Sequence, residues 1–517
     1  MSAARSTGQL DRYTEFGELT QRVRKMTKRL LLPIAIVLVA ETAFLGFTGR
    51  PGTEAFAAMS VGTWITLVVW SSSAIGLPLM PMMSIQALII YGIPIVASHD
   101  VIMDYPQAFV LQAGIEVMIF GLAMSGAWSI GMQLLRPSPP VSHTLHEFNR
   151  SGVKGWSKVG FTIIGSVTAF QILYGINALG GVFAMLPSGS DPIIFAFLSV
   201  AGACGFFLVA LVIGSKEANI TERCIFWALF IANGMIASED FILSSAVANI
   251  IMVAIGLFWS SSKPPWRYLT MALLALSFLN LGKTTMRTRY WESEDSPGTQ
   301  FGAAQLPSVF AEWVGVSFDA MVENHSSPQK GADFGEQTPH KHQTLLDRVD
   351  NLQNLLFVID AEETNHISPL EGQTYSIIPP LLIPRIIWPN KPRTHEGQIL
   401  LNVHFGRQDF ASTFTTYIAW GLLPEAYGNF GPYLGSIAIG CFLGAFFAWI
   451  ENFTSRKLVV SLEGFLSLSA TVSLMNSFEM VASVLVTSTF QSMMIIFGAC
   501  LPFVRRSRNA TRTPPEE

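Results

Sequence analysis

The chain has 517 residues, of which half are apolar and 13% charged, and its mean hydropathy is +0.42. This composition excludes a string of soluble domains and marks an integral membrane protein. The net charge of −4, with no Lys/Arg-rich run interleaved with aromatics, gives nucleic acid no surface to bind.

In chain order, residues 1–29 are polar and basic (Arg22, Arg24, Lys25, Lys28, Arg29), with no small-residue cleavage site after them, and read as a retained cytoplasmic N-terminus. Twelve apolar segments follow: Leu30–Phe47, Val61–Leu77, Met82–Ala97, Phe109–Leu135, Val159–Leu179, Ile193–Ile213, Cys224–Ala237, Phe241–Trp259, Tyr268–Leu281, Tyr433–Ile450, Val459–Met475 and Val481–Val504. Each approaches the roughly 20 residues that a helix needs to cross the hydrocarbon core. The expected fold is therefore an all-α polytopic membrane protein of about twelve spans. Its parts are spans one to nine over 30–283, one large external loop over 284–432 carrying amphipathic helices, spans ten to twelve over 433–504, and a cytoplasmic tail over 505–517. Lys and Arg support this orientation: Arg136, Arg150, Lys154, Lys216, Arg223, Lys263, Arg267, Arg456, Lys457, Arg505, Arg506 and Arg508 all fall on one side. The short loops opposite are acidic, with Arg50 the exception. Cys204, Cys224, Cys441 and Cys500 lie in apolar segments, so the large loop has no disulfide framework.

A loop of that length is expected to be functional. Two helical patterns stand in it: Phe310, Trp313, Val314 and Phe318, and then Leu345, Val349, Leu352, Leu356 and Ile359. Ser326–Gln343 reads as a polar linker, whose His340 and His342 form an isolated pair with no further metal ligand. Six of the nine histidines and many cations fall in this loop. Arg287 and Arg289 follow the ninth segment, Arg348 lies on the second pattern, and Arg385, Lys391, Arg393, His395, His404 and Arg407 crowd together. Such a cluster suits an anion, and Arg matches phosphate bidentately. Tyr375–Gly397 (YSIIPPLLIPRIIWPNKPRTHEG) contains five prolines that stop a spanning helix, so it is expected to be extended or re-entrant and to line a cavity. Trp388 is placed to stack on a sugar or to anchor at the interface. Glu41, Glu116 and Glu463 lie within apolar segments, where ionisable groups are functional candidates by default.

The order of a basic segment after a membrane helix, RVDNLQNLLFVI, IPRIIWPNKP and EAYGNFGPYLG, over roughly Lys283–Gly444, resembles the bacterial O-antigen polymerases and related oligosaccharide repeat-unit polymerases. The resemblance implies a multi-pass inner-membrane glycosyltransferase that moves a glycan from undecaprenyl pyrophosphate onto the end sugar of another lipid-linked repeat unit, building O-antigen or exopolysaccharide. The implied partners are the lipid-linked oligosaccharide, a chain-length regulator and a flippase. On that reading Arg287, Arg289, Arg348, Arg385, Lys391, Arg393 and Arg407 hold the pyrophosphate, Trp388 stacks on the glycan, and His395, His404 or Glu425 supplies the base. No cofactor is expected, and no carboxylate cluster for a divalent metal is evident. An O-antigen ligase shares the donor and the arginines. A transporter of polysaccharide or lipid-linked sugar shares the span count, but two matching halves around a cytoplasmic central loop are missing.

Overall fold

The computed structural model describes residues 16–136, 141–185, 191–238, 241, 243–261, 263–291, 305–326, 350–383, 387–388, 390–414, 418–475, 480–500 and 504–508. The chain is helical almost throughout. The elements used below are α1 (Phe16–Phe47), α2 (Thr53–Ser73), α3 (Leu79–Val96), α4 (Gln107–Leu134), β1 (Val141–Leu145), α5 (His146–Gly175), α6 (Asp191–Gly214), α7 (Ile220–Ala237) and α8 (Ser244–Ser261). They continue as α9 (Trp266–Trp291), α10 (Leu306–Ser326), α11 (Leu352–Glu363), α12 (Glu396–His404), α13 (Leu422–Phe430), α14 (Leu434–Thr454), α15 (Leu462–Met475), α16 (Ala482–Cys500) and β2 (Val504–Arg508).

Among the described residues, each of the expected apolar segments overlaps a helix. Among the described residues, eight helices are long and apolar enough to cross a membrane: α1, α2, α3, α4, α6, α7, α9 and α14. Shorter apolar stretches lie in α8, α15 and α16. This is the architecture of a polytopic membrane protein. One addition to the all-helical expectation is a two-stranded antiparallel ribbon, in which Val141 pairs with Arg508 and Leu145 with Val504.

The chain divides into two compact units, one made of residues 1–149 and 349–517, the other of 150–348. The partition differs from one drawn at residues 283 and 432. In the first unit, α4 lies between α14 and α2. The α4–α14 contact is glycine-made: a Cβ at Gly440 would stand 2.7 Å from Phe120 O, and one at Gly444 would overlap Met124 O. Small residues at a four-residue interval let membrane helices approach this closely. Buried carboxylates pin the irregular ends. Glu116 accepts from Tyr433 N at 2.8 Å and from Ser436 Oγ, so it caps α14 and holds Tyr433 at φ +64. Glu451 accepts from Ile75 N (2.7 Å), Gly76 N (3.0 Å) and Trp128 Nε1 (2.8 Å). Glu463 lies 3.9 Å from Lys457. Glu116 and Glu463 thus have structural partners, and Glu451 joins them.

Helix α1 starts at Phe16, well before the apolar run. Phe16, Leu19, Thr20 and Val23 are buried, and Thr20 Oγ1 donates to Gly76 O at 2.7 Å. At 32 residues it is about 48 Å long, against a core of about 30 Å, so its basic first turns lie beyond the hydrocarbon. Helix α3 absorbs Pro94 with a π turn over Leu88–Gly92.

In the second unit, Phe206, Val209, Phe226 and Val253 form the main core. Helix α7 is longer than its apolar run because Asn219 and Glu222 make a reciprocal capping box. Helix α10 packs on α9 through Trp313, whose Nε1 donates to Leu279 O at 2.8 Å. Its buried face carries Val309, Trp313, Ser317 and Ala320, while Val314 and Phe318, expected on that face, are exposed. Both are one or two positions off the stripe that α9 covers.

Candidate functional site

Helix α12 (EGQILLNVH) buries Gly397, Gln398, Ile399, Leu401 and Asn402, and so fixes which way its two ends face. Lys391, Arg393 and His395 precede it, while His404 ends it and Arg407 follows. The helix divides a cluster that is continuous in sequence.

At the N-terminal end, His395 is the residue before the first helical turn, and its Nδ1 donates to Gln398 Oε1 at 2.7 Å. That tautomer makes Nε2 the basic nitrogen. Arg393 Nε pairs with Glu396 Oε2 at 3.3 Å. Lys391 is buried, and its Nζ donates to Leu381 O (2.7 Å) and Ile383 O (2.6 Å). The ammonium therefore braces the proline segment, which forms two short turns, Gln373–Ser376 and Ile378–Leu382, against α16.

Glu425 approaches the same corner from α13 and is fully buried. Its Oε1 accepts from Thr374 Oγ1 at 2.7 Å, and its Oε2 accepts from Ala482 N, the first residue of α16. Asn429 Nδ2 donates to Thr374 Oγ1 (2.9 Å) and to Glu425 O (2.7 Å). Thr374 is the link to α12, since a Cβ at Gly397 would lie 3.6 Å from Thr374 Cβ and 3.0 Å from Ser483 Oγ. Burial pushes the Glu425 carboxyl up to about 7, partly offset by the Ala482 N–H and the Thr374 hydroxyl. Tyr375, stacked on Phe430 at 5.5 Å, has a buried hydroxyl with no hydrogen-bond partner among the described residues. Burial, with the Glu425 charge added, drives its phenol up.

The other end of α12 is built differently. Arg407 Nη1 donates to Asn354 Oδ1 at 2.7 Å, and the guanidinium lies 5.2 Å over Phe357 and 5.9 Å over Trp420. Asn354 Nδ2 donates to Trp420 O (3.0 Å) and Asn351 Oδ1 (2.6 Å), and Trp420 Nε1 donates to Asn402 Oδ1 (2.7 Å). Burial lowers the Arg407 pKa, opposed by Tyr105. Carboxylates gather here too: Asp350 pairs with His99 at 2.8 Å, and Asp104, Asp350 and Asp360 all raise the Tyr105 phenol, after burial. His404 Nε2 donates to Ser368 O at 2.7 Å.

Arg287 and Arg289 belong to the second compact unit, where Arg287 donates to Phe241 O at 3.2 Å and Arg289 pairs with Glu312. Trp388 is exposed. Arg348 and Arg385, like His340 and His342, lie outside the described residues. Among the described residues no group of three or more His, Cys, Asp or Glu is arranged to hold a metal ion. The sequence reading passed over Thr374, Asn429, Asn354, Asn402 and Trp420. Asn351 and Asn354 interrupt the buried face of an otherwise apolar helical pattern, which is the signal that could have exposed them.

No protein-family model matches the chain, and neither a characterised protein nor a solved structure shows significant similarity to it.

Proposed function

We propose that the chain is a membrane glycosyltransferase that polymerises oligosaccharide repeat units carried on undecaprenyl pyrophosphate, working at the external face of a bacterial inner membrane. The observation that carries this reading is the corner before α12. There His395 in its Nε2-basic tautomer, Arg393 and, one side chain away, a buried carboxyl near neutrality on Glu425 come together beside a proline-rich segment that is no spanning helix. The motif order from Lys283 to Gly444 supplies the reaction class.

In this reaction the bond between the anomeric carbon and the pyrophosphate oxygen breaks, and undecaprenyl pyrophosphate leaves with the electron pair. The acceptor hydroxyl loses its proton to His395 Nε2 as its oxygen bonds to the anomeric carbon, with inversion. Arg393 binds the departing pyrophosphate, and Trp388 stacks on the glycan. Glu425 does not touch substrate; it fixes the starts of α16 and α12 and so positions His395. On the expected topology of twelve spans with both termini cytoplasmic, this corner would lie on the side where the lipid-linked donor is available.

The test is purified protein with undecaprenyl-pyrophosphate-linked repeat units in buffer containing EDTA. A ladder of products, abolished by His395→Ala, is expected. Transfer only to a lipid A core acceptor would make the chain a ligase, and no glycosyl transfer to either acceptor would overturn the reading.

A further inference from the structure

Between them, helices α1 and α2 leave an apolar groove of about 610 Å³, lined by Leu38, Val39 and Thr42 of α1 and by Ala57, Val61 and Trp64 of α2. The membrane-crossing part of α1 is almost unburied by protein, so hydrocarbon fills that groove. Two features make it more than a generic lipid-facing surface. Trp64 on its lining ties the two helices, its Nε1 donating to Leu31 O at 3.3 Å. At the other end, Thr53 and Glu54 lead, one turn before Ala57, into a second pocket of about 580 Å³ over the α1–α2 turn, with both polar and apolar lining. That pocket is lined by Arg50, Glu54 and Gln107.

The charges there are not spent on each other. Arg50 Nη1 donates to Val96 O at 2.9 Å and its guanidinium lies 5.6 Å from the Phe44 ring. Glu54 is exposed and makes no ion pair among the described residues. Arg50 was also the one cation on the short outer loops of the expected topology, against the positive-inside pattern. We propose that this hairpin binds a diacyl phospholipid with a zwitterionic primary-amine headgroup, its phosphate on Arg50, its ammonium on Glu54 and one acyl chain in the groove down to Trp64.

Length and charge decide the occupant. Trp64 lies ten residues below Glu54, about 15 Å along the helix, which is half of a hydrocarbon core of about 30 Å and hence one leaflet. A long polyprenyl chain would leave most of its length outside the groove, and its phosphate, with no ammonium to offset it, would face the Glu54 carboxylate. The site is separate from the corner before α12, so it stands or falls without the transferase reading.

The experiment is native mass spectrometry of the delipidated full-length protein titrated with 1-palmitoyl-2-oleoyl phosphatidylethanolamine, the matching phosphatidylglycerol, and undecaprenyl phosphate. Phosphatidylethanolamine should bind about fivefold tighter than phosphatidylglycerol, as expected for one exposed ion pair. Glu54→Gln, an exposed substitution, should level the two, and Arg50→Gln should weaken both about tenfold through loss of a charge-assisted contact. Ala57→Phe, or Val61→Trp where the first does not fold, should fill the groove and block both. Equal affinities in the wild type, tightest binding of undecaprenyl phosphate, or unchanged binding in the folded groove-filling variant would overturn the proposal.

Discussion

The two ends of α12 carry the same kinds of residue, a histidine and an arginine each, yet they are built for different work. At the end that Arg407 follows, the guanidinium is sandwiched with Phe357 and Trp420, donates to Asn354, and has carboxylates for company. At the His395 end the imidazole is held from its own helix turn, and the neighbouring carboxyl on Glu425 is spent on positioning two helix starts. A count of cations does not identify an anion site; what each cation already touches does. The Lys391 ammonium, for one, donates to two backbone carbonyls of the proline segment.

The sharpest way to break this comparison is to remove one histidine from each end. His395→Ala is expected to cost about 10²–10⁴ in transfer rate, the range of a lost general base, with an unchanged melting temperature. His404→Ala should leave the rate near wild type, since its Nε2 only ties Ser368. Equal losses from both, read as product per minute at equal protein, would erase the distinction between the ends.

Next in size is the packing of the Arg407 end. Trp420→Ala should cost about 3–5 kcal/mol, because it empties a buried site and unpairs Asn402. Thermal unfolding in detergent measures it. A loss under about 1 kcal/mol would mean that this end is not the structural one.

Glu425 gives a pH dependence whose sign follows from its direction. Its folded pKa, about 7, is above the ordinary carboxyl value of 4.5, so between these values the native state holds a proton that the unfolded chain has released. Stability therefore falls as pH rises from about 4.5 to about 7 and is flat above, by a total of about 3 kcal/mol. Glu425→Gln, neutral throughout, should remove most of that slope. An unaltered slope in the variant would assign the titration elsewhere.

The smallest effect expected is from Arg407→Lys. An ammonium keeps the charge but loses the planar stack and the directed bond to Asn354, at a cost of about 1 kcal/mol in stability with transfer rate unchanged. A large rate loss with full stability would return Arg407 to the pyrophosphate site.

The helical, membrane-type fold was legible because long apolar runs have one interpretation, and among the described residues eight helices are long and apolar enough to cross a membrane. What escaped had no such signal. The amphipathic start of α1 at Phe16 hides in a basic stretch, where Leu19 and Val23 are too sparse to raise hydropathy. The ribbon between Val141–Leu145 and Val504–Arg508 joins segments some 360 residues apart, beyond any local pattern. Asn219 and Glu222 did spell a capping box, and the segment assigned there was too short by that turn. Of the site, the basic cluster and Glu425 were visible as residue types. Their division between two helix ends was not, because it depends on which face of α12 is buried. Arg287 and Arg289 were grouped with the cluster by charge alone and belong to the other compact unit.

The π turn of α3 bears on how the molecule is assembled. Asn351 N donates to Ile90 O and its side chain reaches Tyr91, both within that turn, while Glu116 of α4 waits for Tyr433 and Ser436. The first four helices thus carry sockets for peptide made hundreds of residues later. The ribosome must complete and release the whole of residues 150–348 before those sockets can be filled. In the meantime they expose polar groups to hydrocarbon, an arrangement costly enough to call for an insertase or chaperone that shelters the early helices until the late ones arrive.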